Sequence, residues 1–368
     1  MSKARDLADL LDANGDVELD ALDNAPSGSG KNLIINGAMQ VAQRGTSFTK
    51  SGSSNVYILD RFNQVSNASA ATVVYSQDPE APANFKNSLK FSVTTADTDL
   101  TSQRCLISQF IEGQNVAHLN WGTADAQDVT LSFWVRSSLT GTFGGSFINS
   151  AEDYSYPFTY TISSADTWEY KTVTVTGPTA GTWLDTNGVG IRIHWSMGTG
   201  SYRLGTAGSW SANRYEGATG QVDPVSTTSA TWYITGVQLE VGSVATPFEH
   251  RSYGEELQLC KRYYQTSGSG AMGSQVCLCG RGNGTASSVA FLPLPVQMRS
   301  SPTSNTNIAS TEMFSIAGYG SGTATVSAYA GTNRGMGTAL LIGGLSGGTD
   351  NRPNYVAFSS ELTFEAEL

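Results

Sequence analysis

"VTLSFWVRS" occupies residues 129–137, and its apolar side chains fall on every second position: Val129, Leu131, Phe133 and Val135. A period of two puts those four on one face of an extended strand and Trp134 and Arg136 on the other. The same alternation runs through "VGIRIHWSM" at 189–197, where Val189, Ile191, Ile193, Trp195 and Met197 share a face with Arg192 and His194 opposite. Leu89, Phe91 and Val93 repeat it. Each segment reads as a strand with one face in a core and one toward water. Many such strands, separated by Gly/Ser/Asn turns and lacking helical crossovers, predict an all-β protein built on an antiparallel jelly-roll sandwich.

The chain is 368 residues long, enough for two or three compact domains. Only 14% of residues are charged while glycine occurs 40 times, a composition closer to β-rich extracellular or virion proteins than to metabolic enzymes. A net charge of -10 without clustered Lys or Arg argues against a nucleic-acid partner. No apolar run approaches the roughly 20 residues that span a bilayer, and "MSKARDLADLL" lacks a signal-peptide core, so synthesis in a cytoplasm without membrane insertion is expected. Cys105, Cys260, Cys277 and Cys279 have no zinc-site spacing and read as free buried thiols.

Four regions follow. Residues 1–30 hold a short amphipathic helix, with Ala4, Leu7, Leu10 and Leu11 on one stripe, then an acidic and Pro/Gly/Ser-rich linker. Residues 31–250 carry the alternating strands. Within "WYITGVQLEVGSVATPFEHR" at 232–251, Trp232 and Ile234 share a face but Val237 and Leu239 are out of step by one, so a bulge is expected at Thr235–Gly236. "SYGEELQLCKRYYQ" opens with a capping box, Ser252 and Glu255, and predicts a linking helix over 251–265. Residues 266–368 return to strands and read as a second, smaller β-sandwich domain; in "ELTFEAEL", Leu362, Phe364, Ala366 and Leu368 alternate with polar residues.

"NLIINGAMQVAQRG" at 32–45, "YILDRF" at 57–62, "VTLSFWVRS", and "WYITGVQLEVGSVATPFEHRSYGEELQLCKRYYQ" at 232–265 together resemble bacteriophage tail-fibre and virion-fibre proteins with a jelly roll similar to carbohydrate-binding modules. The family more often has Trp where Phe62 stands. The resemblance implies a non-enzymatic fibre or spike of tail or head, usually a homotrimer, residing in the virion and docked to other virion proteins through its N-terminus, with Leu7, Leu10 and Leu11 as candidates. Attachment to bacterial surface glycan would be its function. The resemblance leaves room for a structural calcium near the module's ends, assigned to no residue; no other cofactor or metal is expected. A purely structural decoration or connector and a capsule-degrading glycoside hydrolase spike are the rival readings.

Sugar binding asks for aromatic rings that stack on pyranose faces and for polar side chains that read hydroxyls. Trp134, Arg136, Arg192 and His194 meet this on outward strand faces, Tyr154 and Tyr156 in "SAEDYSYPFTY", and Trp210, Asn213, Arg214 and Tyr215 in "GSWSANRYEG". The tyrosine-rich stretch reads equally as part of the sandwich edge, and Trp134 as a subunit contact. Glu152 and Asp153 supply the carboxylates that glycoside hydrolysis needs. No nucleophile elbow, H-x-x-H pair or phosphate loop is present, so no catalytic residue is assigned. In "DANGDVELD" at 12–20, Gly15 falls fourth and Asp23 twelfth, unlike an EF-hand loop. Glu249 and His250 read as surface residues joining the last strand to the helix. Tyr253, Leu257, Cys260 and Tyr264 form a stripe that would pack about a threefold axis, or back on the chain's own sandwich.

Overall fold

The computed structural model describes residues 30–266 and, beyond them, 276–282, 287–292, 294–300, 303–305, 313–316, 322–323, 325–329, 338–343, 353–358 and 363–368. Leu7, Leu10, Leu11 and the acidic turn at 12–20 lie outside the described residues.

The chain is all-β, with two large antiparallel sheets face to face. Its first strands are β1 (Ser47–Ser51), β2 (Ser54–Leu59), β3 (Phe62–Ser66), β4 (Thr72–Asp78), β5 (Ser88–Thr95), β6 (Arg104–Glu112) and β7 (Val129–Ser137). They continue with β8 (Gly141–Ile148), β9 (Ser155–Ile162), β10 (Glu169–Val175), β11 (Val189–Thr199), β12 (Leu204–Gly205), β13 (Gly217–Ala218) and β14 (Thr231–Val241). One six-stranded sheet runs β1-β4-β5-β14-β7-β10 and the other β2-β3-β6-β11-β8-β9, while β12 and β13 form a small parallel pair.

The core lies between the two sheets. Leu89, Phe91, Leu131, Phe133, Val135, Trp232 and Ile234 from the first sheet meet Ile107, Ile191, Ile193, Trp195, Met197 and Phe147 from the second. These are the faces the period-two pattern selects except at Val189, which packs outside with Leu106 and Phe110 because the pairing of β11 with β6 shifts between Val189 and Ile191; each large side chain removed from water contributes about 1.5–3 kcal/mol. The Trp232 indole N–H donates to the Tyr160 hydroxyl at 3.1 Å, whereas the Trp195 indole N–H, also in the core, has no acceptor among the described residues. The expected bulge is present: pairing between β14 and β7 shifts between Thr235 and Gln238, and Gly236 sits at φ +61°.

The opening and closing motifs of the jelly roll clasp each other. Asn32 Nδ2 donates to the Val237 carbonyl at 3.1 Å, and its Oδ1 accepts from the amides of Ile34 at 2.9 Å and Leu239 at 3.1 Å. Glu249 accepts from the amides of Gly30 at 2.6 Å and Asn32 at 2.8 Å. Glu249 is therefore half-buried and structural, whereas His250 is exposed beside Phe85 and Phe248.

The capping box forms as expected, with Ser252 N donating to Glu255 Oε2 at 2.8 Å and Ser252 Oγ accepting from Glu255 N at 3.3 Å. The helix itself is shorter than the sequence suggests, Tyr253–Lys261, because Tyr264–Thr266 pairs as a strand, β15. Cys260 is fully buried with Ile35, Val41 and Tyr263, Leu257 packs on the same cluster, and Tyr264 is buried; Tyr253 stays exposed. Most of the stripe offered for a threefold axis thus faces the chain's own jelly roll, since the Ile35 and Val41 side chains fill the space beneath it.

The remaining strands are β16 (Val276–Gly282), β17 (Ser287–Leu292), β18 (Thr303–Asn305), β19 (Met313–Ile316), β20 (Gly322–Thr323), β21 (Thr325–Tyr329), β22 (Thr338–Gly343), β23 (Pro353–Phe358) and β24 (Thr363–Glu365). They make a seven-stranded sheet, β20-β19-β23-β16-β17-β22-β21, and a three-stranded one, β15-β24-β18. Residues 363–368 return to the jelly roll: Ala366 N donates to the Tyr263 carbonyl at 2.8 Å, and the Glu367 carboxylate pairs with Arg61. Cys105 and Cys260 are free and buried, and burial pushes the Cys105 thiol up to about 11; the Cys277 and Cys279 side chains are outside the described residues. Among the described residues no helix is long and apolar enough to cross a membrane.

Candidate functional site

Alternation that sends Ile191, Ile193 and Trp195 inward sends Arg192 and His194 to the outer face of the same sheet. Register aligns neighbours with them: Arg192 lies opposite Phe110 and His194 opposite Ser108 on β6, and Asn63 opposite Ser108 on β3. Tyr57 on β2 stands beside Asn63. Tyr57, Asn63, Phe110, Arg192 and His194 floor a cleft of 540 Å³.

Two walls rise from it. The first is the turn between β8 and β9 together with the loop before β13. Asn149, fully buried, shapes the turn: its Oδ1 accepts from the amides of Asp153 and Tyr154, both at 3.1 Å, and its Nδ2 donates to Asp153 Oδ1 at 2.7 Å. This holds Glu152 at φ +58° with its carboxylate in an ion pair with Arg192 at 2.9 Å and another with Arg214. Arg214 also pairs with Glu216 at 2.7 Å, and Arg104 reaches Glu216 at 3.2 Å. The second wall is the chain's return: Tyr264, Thr363, Glu365 and Leu368. Arg44 stacks 3.6 Å from the Tyr264 ring centroid and pairs with Glu365 at 3.3 Å and Glu367 at 3.1 Å, while Tyr57 Oη donates to a main-chain oxygen of Leu368 at 3.0 Å.

His194 points outward as its strand position dictates yet is only 4% exposed, because the walls cover it. Burial, with Arg192 and Arg104 adding repulsion, pushes its pKa down to about 3, so the ring is neutral; Nδ1 lies 2.6 Å from Ser108 Oγ. Arg192 lies over the Phe110 ring, 4.8 Å from its centroid. In this cleft the buried atoms Arg104 Nε, Arg192 Nε, Glu216 Oε2 and Asn63 Oδ1 have no hydrogen-bond partner among the described residues. Such atoms are costly unless something supplies the missing bonds. The arrangement suits a polar ligand met by donors, acceptors and the edges of aromatic rings.

Of the sequence candidates, Arg192, His194 and Arg214 meet in this cleft. Trp134 and Arg136 lie on the outer face of the opposite sheet: Trp134 packs on Tyr170 at 5.4 Å, and Arg136 pairs with Glu80 at 3.2 Å and Asp166 at 3.5 Å. Tyr154, Tyr156 and Trp210 belong to an aromatic cluster with Trp121 and Trp183 at one end of the sandwich. Trp210 stacks on Tyr154 at 5.6 Å and gives its indole N–H to the Thr176 carbonyl at 2.7 Å, so it closes the core there. Asn213 is exposed and bonds Ser211, and the Tyr215 ring covers Gly205.

Sequence reasoning missed Arg44, Tyr57, Arg104, Phe110 and Glu216. The run "RCLISQFIE" at 104–112 hides its outward residues because Leu106 and Phe110 are buried on the outer face too, under the returning chain end. The three histidines stay apart, His118 being exposed on a 3-10 turn. Among the described residues no three His, Cys, Asp or Glu side chains gather as a metal site.

No protein-family model matches the chain, and no curated protein matches it. Among solved structures, it is similar to the enzymatically active domain of tailspike protein 4 from bacteriophage CBA120, at 13% identity and a TM-score of 0.32. That match covers 58% of this chain and 22% of the tailspike chain. It is also similar to the family 11 carbohydrate-binding module from Clostridium thermocellum in complex with a β-1,3-1,4-mixed-linked tetrasaccharide, at 10% identity and a TM-score of 0.27, covering 55% of this chain and 98% of that one.

Proposed function

We propose that this chain is a non-enzymatic phage fibre or spike protein that attaches the virion to bacterial surface glycan, with the sugar held in the cleft over β11. The cleft of 540 Å³ carries the reading, because it joins strand-borne Arg192 and His194 to the donors and acceptors of Arg104, Asn63 and Glu216 that have no partner among the described residues. A rigid sheet holds such groups in place before a ligand arrives, which lowers the ordering cost of binding. The motifs that resemble the fibre family are the ones that clasp at Asn32 and Glu249. A homotrimer would present three such clefts, and several weak contacts made at once raise avidity without any new contact.

The hydrolase reading has one observation in its favour: Glu152 and Glu216 both reach Arg214. Each carboxylate, however, is also held in an ion pair with a further arginine, Arg192 or Arg104.

Titration with envelope polysaccharide of a susceptible host tests the assignment. Tyr57→Ala should weaken binding about tenfold, while Trp134→Ala on the opposite sheet leaves it unchanged. Release of oligosaccharide would overturn the non-enzymatic role, and a solution mass of one chain would overturn the trimer.

A further inference from the structure

The charges along one wall of the cleft form a single alternating ladder: Arg104, Glu216, Arg214, Glu152, Arg192. It begins and ends on arginine. Among the described side chains three guanidiniums therefore face two carboxylates, leaving one positive charge in excess, in a protein with 31 acidic against 21 basic residues. The ladder is largely withdrawn from water: the side chains of Arg104, Arg192 and Arg214 are 22%, 20% and 22% exposed, and that of Glu216 is fully buried. A partly desolvated charge with no counter-charge is unfavourable, and a ligand that supplies one gains by that amount.

Among the described side chains, the other groups facing the ladder leave the excess in place. His194, between the two terminal arginines, is neutral. On the opposite wall Arg44 is matched by Glu365 and Glu367, and Arg61 pairs with Glu367 as well. The Nε–H groups of Arg104 and Arg192 both lack an acceptor among the described residues. Guanidinium donors fit a carboxylate's two oxygens in a planar fork.

We propose that the cleft selects acidic glycans, with the carboxylate of a uronic-acid-type sugar supplying the missing negative charge at this ladder. The proposal rests on the glycan-binding reading and narrows its ligand to a class. A neutral chain of the same shape leaves the ladder uncompensated and binds more weakly.

The test compares oligosaccharides of polygalacturonate, alginate and heparosan with their carboxyl-reduced counterparts, by titration calorimetry on the full chain. At least one acidic series should bind about tenfold more tightly than its reduced form, and added salt should erode the difference. Arg192→Gln should remove the preference while leaving weak binding of the neutral form. Should that variant fail to fold, the paired ligands on the unaltered protein carry the test alone. Equal affinity for acidic and reduced forms overturns the acidic selectivity and leaves the glycan reading standing. Binding of neither class, with host polysaccharide also unbound, overturns both.

Discussion

Across 207 sequence positions, the Leu239 amide donates to Asn32 Oδ1 at 3.1 Å. Asn32 also receives the Ile34 amide and donates to the Val237 carbonyl, and it is only 5% exposed. One side chain thus supplies the bonds that join the first segment of the jelly roll to its last strand. Asn32→Ala should leave these backbone groups unpaired and cost about 3 kcal/mol. Urea denaturation checks this, and an unchanged midpoint would show that the clasp adds no stability.

Gly37 and Gly236 line the same junction but differ in what surrounds them. A Cβ on Gly37 would lie 2.1 Å from the Val237 carbonyl oxygen, which is backbone and part of the clasp. At Gly236 the obstacle is the Phe85 ring at 2.6 Å together with a φ of +61°. A ring can shift; a paired carbonyl cannot without breaking its bonds. Gly236→Ala should cost about 2 kcal/mol, and Gly37→Ala should cost more, read as the order of the two melting temperatures.

Arg61 is 1% exposed, pairs with Glu367 and lies 3.6 Å from the Tyr263 ring centroid. Glu367→Ala would leave a buried guanidinium without its counter-charge, at a cost of about 3–5 kcal/mol. Replacing both residues, Arg61→Met with Glu367→Leu, should recover much of that loss. If the double variant is as unstable as the single one, the charge is not the cause. Glycan binding should fall in Glu367→Ala as well, because residues 363–368 form one wall of the cleft.

His194 gives stability a pH dependence of known sign. Its pKa is near 3 folded against 6.5 as its ordinary value, so as pH falls below about 6.5 the unfolded chain takes up a proton that the folded chain refuses. Folding therefore weakens with acid over the window from about 6.5 to about 3 and gains nothing from this residue above it. Between pH 7 and about pH 5 the loss should be about 2 kcal/mol. His194→Asn should flatten that part of the profile, measured by denaturation at both pH values.

Period-two alternation in "VTLSFWVRS" and "VGIRIHWSM" was enough to choose the all-β class, the core faces and the outward position of Arg192 and His194. The break in that alternation located the Gly236 bulge, and Ser252 with Glu255 located the helix start. These are local signals: each depends on neighbours within a few residues. The cleft is different in kind. Its ladder joins Arg104, Glu152, Arg192, Arg214 and Glu216 from separate strands and loops, and its far wall is the returning segment 363–368. The same segment buries Phe110 on a face that alternation assigns to solvent. The sequence by itself determined which residues point out of the sheet; only the tertiary structure decided which of them meet. Three of the ladder's four ion pairs join positions 40 to 112 apart, and Arg44 meets Glu365 across 321 positions; no spacing along the chain encodes those meetings.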